Sequence, residues 1–381
     1  MITLKKITLV LILIIIFTRT IGVFAYSFPE SSIIMEEQTG RILYEKNSHK
    51  KMLIASTTKI MTAIITIENT KLTENVKVGK EILKMYGTNI YIDVGEEISI
   101  EALLYGLMLR SGNDAAVALA NYVAGTEEKF VQLMNEKAKT IGMNNTVFNN
   151  PHGLDDDTKN YSTAYDMALL SIYANKNPIY KKITKTKKIT IKSNYKTYLW
   201  YNRNKLLQQY EYCTGGKNGY TPSAGKTLVT TASKDLLFLT IVTLNDSDSY
   251  KTHMNLYEEY FNKYKNYTIV KKGKHYKNGN KIYVASETFS YPMTKEEKKH
   301  LYIEITGKNQ KYITIKLYEK IIGKIKLNKL EQKKEAKTLL EKFSYLFDNL
   351  KKFILGRQNN LNPGPLVPKP LEINNSESSS L

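Results

Sequence analysis

Ser56-Thr57-Thr58-Lys59 places a hydroxyl and an amine three residues apart at the start of an apolar run. On a helix, positions i and i+3 share a face, so the Lys59 amine can reach the Ser56 oxygen. A serine hydroxyl becomes a useful nucleophile only when an adjacent base takes its proton. Lysine can be that base if it is neutral part of the time, and both burial and a neighbouring cation lower its pKa. Ile60, Met61, Ala63, Ile64, Ile65 and Ile67 follow, apolar on nearly every side, which is the pattern of a buried helix. Taken alone, the four residues are better explained by a capping serine followed by a solvated lysine.

Two later motifs reverse that balance. Ser111-Gly112-Asn113 lies within a Leu-Met-Leu-Arg-Ser-Gly-Asn-Asp-Ala-Ala run, and Lys217-Asn218-Gly219 within Thr-Gly-Gly-Lys-Asn-Gly-Tyr-Thr-Pro-Ser-Ala-Gly. Ser-x-x-Lys, Ser-x-Asn and Lys-x-Gly in that order, tens of residues apart, form the trio of penicillin-binding proteins and class A β-lactamases. Each has a plainer reading when taken singly: Ser111 and Asn113 as helix caps, Lys217 as a solvated strand lysine.

With these motifs in view the chain resembles the D-alanyl-D-alanine carboxypeptidases, low-molecular-mass penicillin-binding proteins of the serine type. The likeness extends to Gln38-Thr-Gly-Arg-Ile-Leu-Tyr, Asn150-Pro-His-Gly-Leu-Asp, Tyr161-Ser-Thr-Ala-Tyr-Asp, Asn202-Arg-Asn-Lys-Leu-Leu and Ala224-Gly. It covers about residues 28 to 265 well, and more weakly a C-terminal β-domain and anchor helix to about residue 356. The resemblance implies Ser56 as nucleophile, Lys59 as base and Ser111 as proton relay. It implies Asn113, Lys217, Asn218 and Thr221 as substrate-binding residues, and the backbone N–H groups of Ser56 and Tyr220 as an oxyanion hole. The implied partners are a peptidoglycan stem peptide as substrate and β-lactams as inhibitors. The family's usual Lys-Thr-Gly is Lys217-Asn218-Gly219 here; an asparagine amide can also donate to a carboxylate, and Thr221 offers a hydroxyl on the same expected strand.

Two rivals remain at this level. A class A β-lactamase deacylates through a glutamate-bound water, and no Glu-x-x-Leu-Asn string lies between Asn113 and Lys217. A non-catalytic wall-binding protein on the same fold has only the Asn218 substitution in its favour.

Composition and the chain ends set the surroundings. The chain has 381 residues, 42% hydrophobic, and a formal net charge of +20. Lys5-Lys6, the apolar Ile7–Phe17 and Val23-Phe24-Ala25 read as a signal peptide cut after Ala25; an uncleaved anchor would need about 20 apolar residues, and Arg19 interrupts this run. The single cysteine, Cys213, excludes an internal disulfide and reads as a small buried residue, although it sits close to Lys217. Export argues against nucleic acid as the partner for the positive charge; anionic lipid and wall polymers suit it better. No His-Glu-x-x-His or Cys-x-x-Cys pair occurs among five histidines and one cysteine, so neither a metal site nor a cofactor is expected.

The elements that must position these residues follow from periodicity. A hairpin is expected from Ser32–Glu36 and Arg41–Tyr44 about Thr39-Gly40, then the buried helix carrying Ser56 and Lys59. Helices are expected at Glu101–Leu109, Ala115–Tyr122, Glu127–Ile141 (ending near Gly142) and Tyr165–Asn175, with Ser111-Gly112-Asn113 in a bend. Strands return at Lys226–Ala232 and Leu236–Leu244. The expected class is α+β: an antiparallel sheet from both chain ends with a helical cluster beside it, the penicillin-binding and serine β-lactamase-like transpeptidase fold. Residues 266–330, with alternation at Leu301-Ile303-Ile305 and Ile313-Ile315-Leu317 and a hairpin turn at Asn278-Gly279, read as a small all-β domain. Residues 331–356 read as an amphipathic basic helix for a membrane surface, and 357–381 as a disordered tail. The resulting division is 1–25 leader, 26–265 peptidase domain, 266–330 β-domain, 331–356 helix and 357–381 tail, in an exported protein peripheral on the outer face of the cytoplasmic membrane or in the wall. His152 reads as a turn residue, and Asp155, Asp156 and Asp157 as a solvated charge run.

Overall fold

A computed structural model describes residues 29–330 and 335–356; the expected leader, residues 331–334 and the tail lie outside the described residues. The central sheet has five antiparallel strands in the order β2-β1-β5-β4-β3. They are β1 (Ser31–Glu36), β2 (Ile42–Lys46), β3 (Cys213–Thr221), β4 (Gly225–Lys234) and β5 (Leu237–Leu244). As expected, the two ends of this region of the chain meet in one sheet: Ile33 pairs with Val242 and Ile34 with Ile241.

Strand alternation divides the sheet's side chains between two cores. Ile33, Met35, Val229, Val242 and Leu244 join the helical layer. Ile34, Ala232, Leu239 and Ile241 pack on Tyr257 and Phe261 of a helix on the other face (Ser249–Lys263). Covered on both sides, β1 is buried at every residue. The helical layer is built around α1 (Lys59–Asn69), buried from Lys59 through Ile67. Around it lie α2 (Ile100–Tyr105), α3 (Asn113–Ala124), α4 (Glu127–Ile141) and α5 (Ala164–Asn175). The α4 boundaries follow their caps: the Thr126 side chain accepts from Lys129 N, and Gly142 ends the helix at φ +90°, a left-handed stop that glycine adopts without Cβ strain.

Two local features depart from the sequence reading. The expected helix Glu101–Leu109 becomes α2 followed by a widened π-type turn at Gly106–Arg110, after which Ser111 is left-handed at φ +67°. The antiparallel hairpin Lys188–Lys192 with Thr197–Tyr201 was not anticipated.

From Lys265 onward the chain is mainly β. A two-stranded ribbon, β6 (Lys265–Val270) with β9 (Phe289–Met293), accompanies a five-stranded sheet of order β7-β8-β12-β11-β10. Its strands are β7 (His275–Asn278), β8 (Lys281–Ala285), β10 (Leu301–Thr306), β11 (Lys311–Leu317) and β12 (Lys320–Lys329). The β7–β8 turn lies one residue beyond its expected place. Asn278 pairs with Lys281, so the two-residue loop is Gly279-Asn280, with Gly279 at φ +58° taking the first position, where a type II′ turn needs glycine. Helix Glu335–Gly356 follows, with Leu339, Leu340, Phe343, Leu346, Phe347 and Leu350 exposed. Among the described residues no helix is long and apolar enough to cross a membrane.

One arginine joins the two regions. Arg41, on the turn into β2, lies over the rings of Tyr264 and Tyr291, 5.4 and 5.1 Å from their centroids. Its guanidinium donates to the Pro292 carbonyl and the Glu297 carboxylate. The pair is largely withdrawn from water, with side-chain exposures of 16% and 17%, and loss of one member strands the other charge. Arg41→Ala is expected to lower unfolding stability by about 2 kcal/mol, read by urea denaturation. An unchanged midpoint would show that the clamp contributes nothing.

Candidate active site

Ser56 sits in a short 3-10 turn, Ala55–Thr58, that runs directly into α1. Ala55 is left-handed at φ +46°, uncommon for a residue with a Cβ and a conformation that clusters at functional sites. Its surroundings hold it there. The Ile54 carbonyl accepts from Thr57 Oγ1 at 2.6 Å and from Thr227 Oγ1 on β4 at 3.1 Å. Gly153 lies against Ala55 so closely that a Cβ would stand 2.1 Å from the Ala55 carbonyl oxygen.

Lys59 Nζ lies 3.1 Å from Ser56 Oγ. The amine donates to Asn113 Oδ1 at 2.7 Å and to the His152 carbonyl. Asn113 is oriented by its own amide, which donates to the Tyr86 carbonyl at 2.7 Å, so its oxygen must face Lys59. Two acceptors thus take two N–H groups, and a neutral amine has only two. Its lone pair is then left toward the Ser56 hydroxyl, the arrangement that proton removal requires. Lys59 is fully buried, and burial first, then the positive charge of Lys217, holds its pKa well below the usual lysine range, against a weaker opposing pull from Asp114.

Asp114, beside Asn113, shapes the cleft from below. Its carboxylate accepts from the backbone N–H groups of Ile90, Tyr91 and Ala115 at 2.7–3.1 Å. It thereby pins the segment after Tyr86. The Asn113 N–H donates to the Thr88 carbonyl at 2.7 Å. Ser111, two residues earlier, is 5% exposed and closes the π-type turn.

The opposite wall is β3. Its alternation sends Lys217, Gly219 and Thr221 inward and leaves Asn218 and Tyr220 on the open side. Gly219 is where the strand meets the nucleophile turn: a Cβ there would stand 2.8 Å from Ser56 N and 2.6 Å from Thr227 Oγ1. Lys217 Nζ donates to the Asn218 carbonyl at 2.7 Å. Burial, and then the nearby Arg203 guanidinium, bring its pKa down to about 7. Arg203 is held by Thr88 Oγ1 at 3.1 Å, and its neighbour Asn204 donates to the Gly215 carbonyl at the root of β3.

The structure therefore brings Ser56, Lys59, Asn113 and Lys217 together, with Gly219 of β3 against Ser56 N; Asn218 and Tyr220 flank Gly219 on the open side of the strand, and Ser111 lies two residues before Asn113 at the π-type turn. Thr221 shares the inward face of β3 with Lys217 and Gly219. Strand alternation puts it on the face opposite Asn218, where its hydroxyl donates to Asp155 Oδ2 at 2.6 Å and accepts from Ala224 N. Asp155 likewise leaves the solvated run expected of it and is 7% exposed. His152 lies in a turn, as expected, but its carbonyl touches the base and its buried ring sits 3.5 Å from Glu127. Asp114, Arg203 and the His152 carbonyl were not singled out as site groups. Asp114 and Arg203 lay inside quoted motifs, whereas a backbone carbonyl has no sequence signal. Among the described residues no cluster of histidine, cysteine or acidic side chains could hold a metal ion, and Cys213 is buried with its thiol pKa pushed up to about 11 by burial.

The electrostatics give a pH test. A cation disfavours a second charge nearby, so removing the Lys217 charge must raise the Lys59 pKa. In the parent, acylation of the free protein by a fluorescent penicillin should rise as Lys59 loses its proton and fall through about 7 as Lys217 loses its own. Lys217→Gln should acylate more slowly, with its rising limb moved to higher pH and its falling limb gone. A rising limb that stays in place would refute the coupling.

Comparison with known proteins agrees with this geometry. Residues 28–248 match the peptidase S11 family, D-alanyl-D-alanine carboxypeptidase. The chain is 37% identical over 211 residues to the D-alanyl-D-alanine carboxypeptidase DacF of Bacillus subtilis, covering 54% of each chain. It is 37% identical over 224 residues to DacC of Escherichia coli, covering 55% of each. It thus spans about half the length of the curated relatives it matches. Among solved structures it resembles penicillin-binding protein 5 of Haemophilus influenzae, with a TM-score of 0.67 and 25% identity over 80% of this chain and 97% of that one. It also resembles the carboxypeptidase DacD of Francisella tularensis, with a TM-score of 0.66 and 26% identity over 80% and 93%. The serine–lysine cleft at the edge of an antiparallel sheet and the match across that whole region lead to one conclusion: the chain belongs to the peptidase S11 family of D-alanyl-D-alanine carboxypeptidases.

Proposed function

We propose that this protein is a serine-type carboxypeptidase that removes the terminal D-alanine from peptidoglycan stem peptides, and that penicillins inhibit it by acylating the same serine. The observation that carries this reading is the Lys59 amine, fully buried, with its N–H groups on Asn113 Oδ1 and the His152 carbonyl and Ser56 Oγ 3.1 Å away.

In this mechanism Ser56 Oγ attacks the carbonyl carbon between the two D-alanines while its proton passes to Lys59. The oxygen that becomes negative is held by the N–H groups of Ser56 and Tyr220, a donor pair in which each member is worth roughly 3 kcal/mol of transition-state stabilisation. The inward turn of Gly219 brings those two segments together. As the carbon–nitrogen bond breaks, Ser111 relays a proton to the departing amine and D-alanine leaves. Water then attacks the acyl-enzyme, its proton goes to Lys59, and Ser56 is restored. Lys217 and Arg203 make the end of the cleft positive for the substrate's terminal carboxylate, and the Asn218 amide supplies the donor that a threonine hydroxyl gives in the usual motif. Asn113 orients the substrate amide as well as the base.

The remainder of the chain serves placement. Residues 1–25 act as an export leader, 26–265 as the peptidase domain and 266–330 as a spacer. Residues 331–356 act as an element lying on the outer face of the cytoplasmic membrane. The support for that last role is the row of exposed Leu339, Phe343, Leu346 and Leu350 on a lysine-rich helix, the composition of an interfacial helix.

The decisive experiment measures D-alanine release from a diacyl-Lys-D-Ala-D-Ala peptide by the mature protein and by Ser56→Ala. Release by the parent alone establishes reaction and nucleophile together. Loss in the variant should exceed a thousandfold, because removing the nucleophile removes the acyl-enzyme path. A folded parent that releases none refutes the carboxypeptidase reading. In that case penicillin acylation followed by rapid turnover would indicate a β-lactamase, and no acylation a binding protein.

A further inference from the structure

The segment Asn150–Asp157 touches both sides of the cleft, and apart from the His152 carbonyl its groups have no part in the mechanism above. On the helical side, the Pro151 carbonyl accepts from Thr62 Oγ1 at 2.6 Å and the His152 carbonyl accepts from Lys59. The turn is rigid: Asn150 Oδ1 accepts from Gly153 N at 2.6 Å, and Asn160 Nδ2 donates to the Asn150 carbonyl at 2.9 Å and to Thr58 Oγ1 at 3.0 Å. Asp155, three residues beyond His152, crosses to the other wall and accepts from Thr221 Oγ1 at 2.6 Å. Asp156 accepts from the Tyr86 hydroxyl, and the Tyr86 carbonyl is the group that orients Asn113.

Asp155 is buried, yet no lysine, arginine or histidine among the described residues forms an ion pair with it. Its bond to Thr221 has the length of a charge-assisted O–H···O⁻ contact. Thr221 adjoins Tyr220, whose N–H is one of the two oxyanion donors in the proposed reaction. From these contacts we infer that Asp155 is a positioning residue, a strap from the turn that seats Lys59 to the end of β3, fixing the Tyr220 N–H at its working distance from Ser56.

The inference rests on the proposed carboxypeptidase reaction and makes a separable claim about it. Freed of the strap, the end of β3 keeps its ladder to β4, where Thr221 pairs with Gly225, so the fold should survive while the Tyr220 N–H drifts. An interaction realised in the transition state appears in kcat with KM little changed, and a displacement of about 1 Å in such a group costs up to about 100-fold.

The test compares Asp155→Ala, Asp155→Asn, Thr221→Val and the double variant Asp155→Ala/Thr221→Val in the full chain. D-alanine release and the rate of penicillin acylation are measured, with melting temperature and pH profile alongside. Asp155→Ala and Thr221→Val should each lower kcat about 10- to 100-fold with KM within about threefold of the parent, and the double variant should be no worse than either. Asp155→Asn, which keeps an acceptor oxygen, should recover most of the loss, and the rising limb of the pH profile should stay in place, because Lys59 keeps its neighbours. Parental kcat in the two single variants, multiplicative losses in the double variant, or losses confined to KM would each overturn the strap. A parent that releases no D-alanine would instead overturn the reaction on which it rests.

Discussion

The cleft depends on keeping one amine dry. Taking an ammonium out of water costs several kcal/mol even after the protein relaxes, and that cost is the main force holding the Lys59 pKa well below the usual lysine range. Neutrality is useful only if the lone pair faces Ser56, so both N–H groups must be engaged elsewhere. The acceptors come from distant parts of the chain: Asn113, 54 residues on, and the carbonyl of His152, 93 residues on. Each needs its own support, the Tyr86 carbonyl behind Asn113 and the Asn150–Asn160 network behind the turn. An apolar α1 is therefore required twice, once to fill the core and once to exclude the water that would recharge the lysine.

The second requirement is close approach of a sheet edge to the turn that carries the serine. Strand β3 lies at the edge of its sheet because its partner β4 continues to β5 and β1 on the other side. Side chains at the meeting point would hold the backbones apart, and glycine removes the obstacle. Gly219 faces Ser56 N, and Gly216 at φ +137° lies where a Cβ would stand 2.2 Å from the Val229 carbonyl oxygen. Lys217 lies between these glycines, its aliphatic stem buried. The cation that helps lower the Lys59 pKa is thus delivered by the same strand that, in the proposed reaction, brings the second oxyanion donor.

The sequence made the covalent chemistry and the architecture legible. Ser56-x-x-Lys59 ahead of a run of isoleucines declared a nucleophile and a buried base once Ser111-Gly112-Asn113 and Lys217-Asn218-Gly219 were read with it, and the apolar run Leu236–Leu244 announced the strand that is β5. What stayed hidden were features carried by backbone. Nothing in Ala55 or Ser111 announces a left-handed conformation, because tertiary contacts impose it. The His152 carbonyl is invisible for the same reason. The partner of Thr221 was hidden too, because strand period fixes a face only when the register is known; once Gly219 faces Ser56, Thr221 must also point inward, where its hydroxyl meets Asp155. Asp155 was hidden inside a run of three carboxylates, where composition suggests solvent and only the fold separates one buried acid from two exposed ones. The hairpin at Lys188–Tyr201 alternates cleanly but lies in a stretch, between Asn175 and Lys217, where no element was expected.

Charge acts here at two separate scales. A net charge of +20 on 381 residues creates a positive field, but salt screens it beyond about 8 Å under physiological conditions. Such a field can raise encounter with anionic polymers or lipid; it cannot set the pKa of a buried amine. Lys59 and Lys217 respond instead to their own burial and each to one nearby cation, Lys217 for the first and the exposed Arg203 for the second, at separations short enough that screening by salt is weak. The two functions of positive charge are therefore free to change independently. Surface lysines can be gained or lost with little consequence for the base, whereas a single charge at Lys217 or Arg203 changes the chemistry. This explains how a lysine can be held toward neutrality in a strongly basic protein: the surface charges are solvated, whereas Lys59 and the cation beside it, Lys217, are both enclosed.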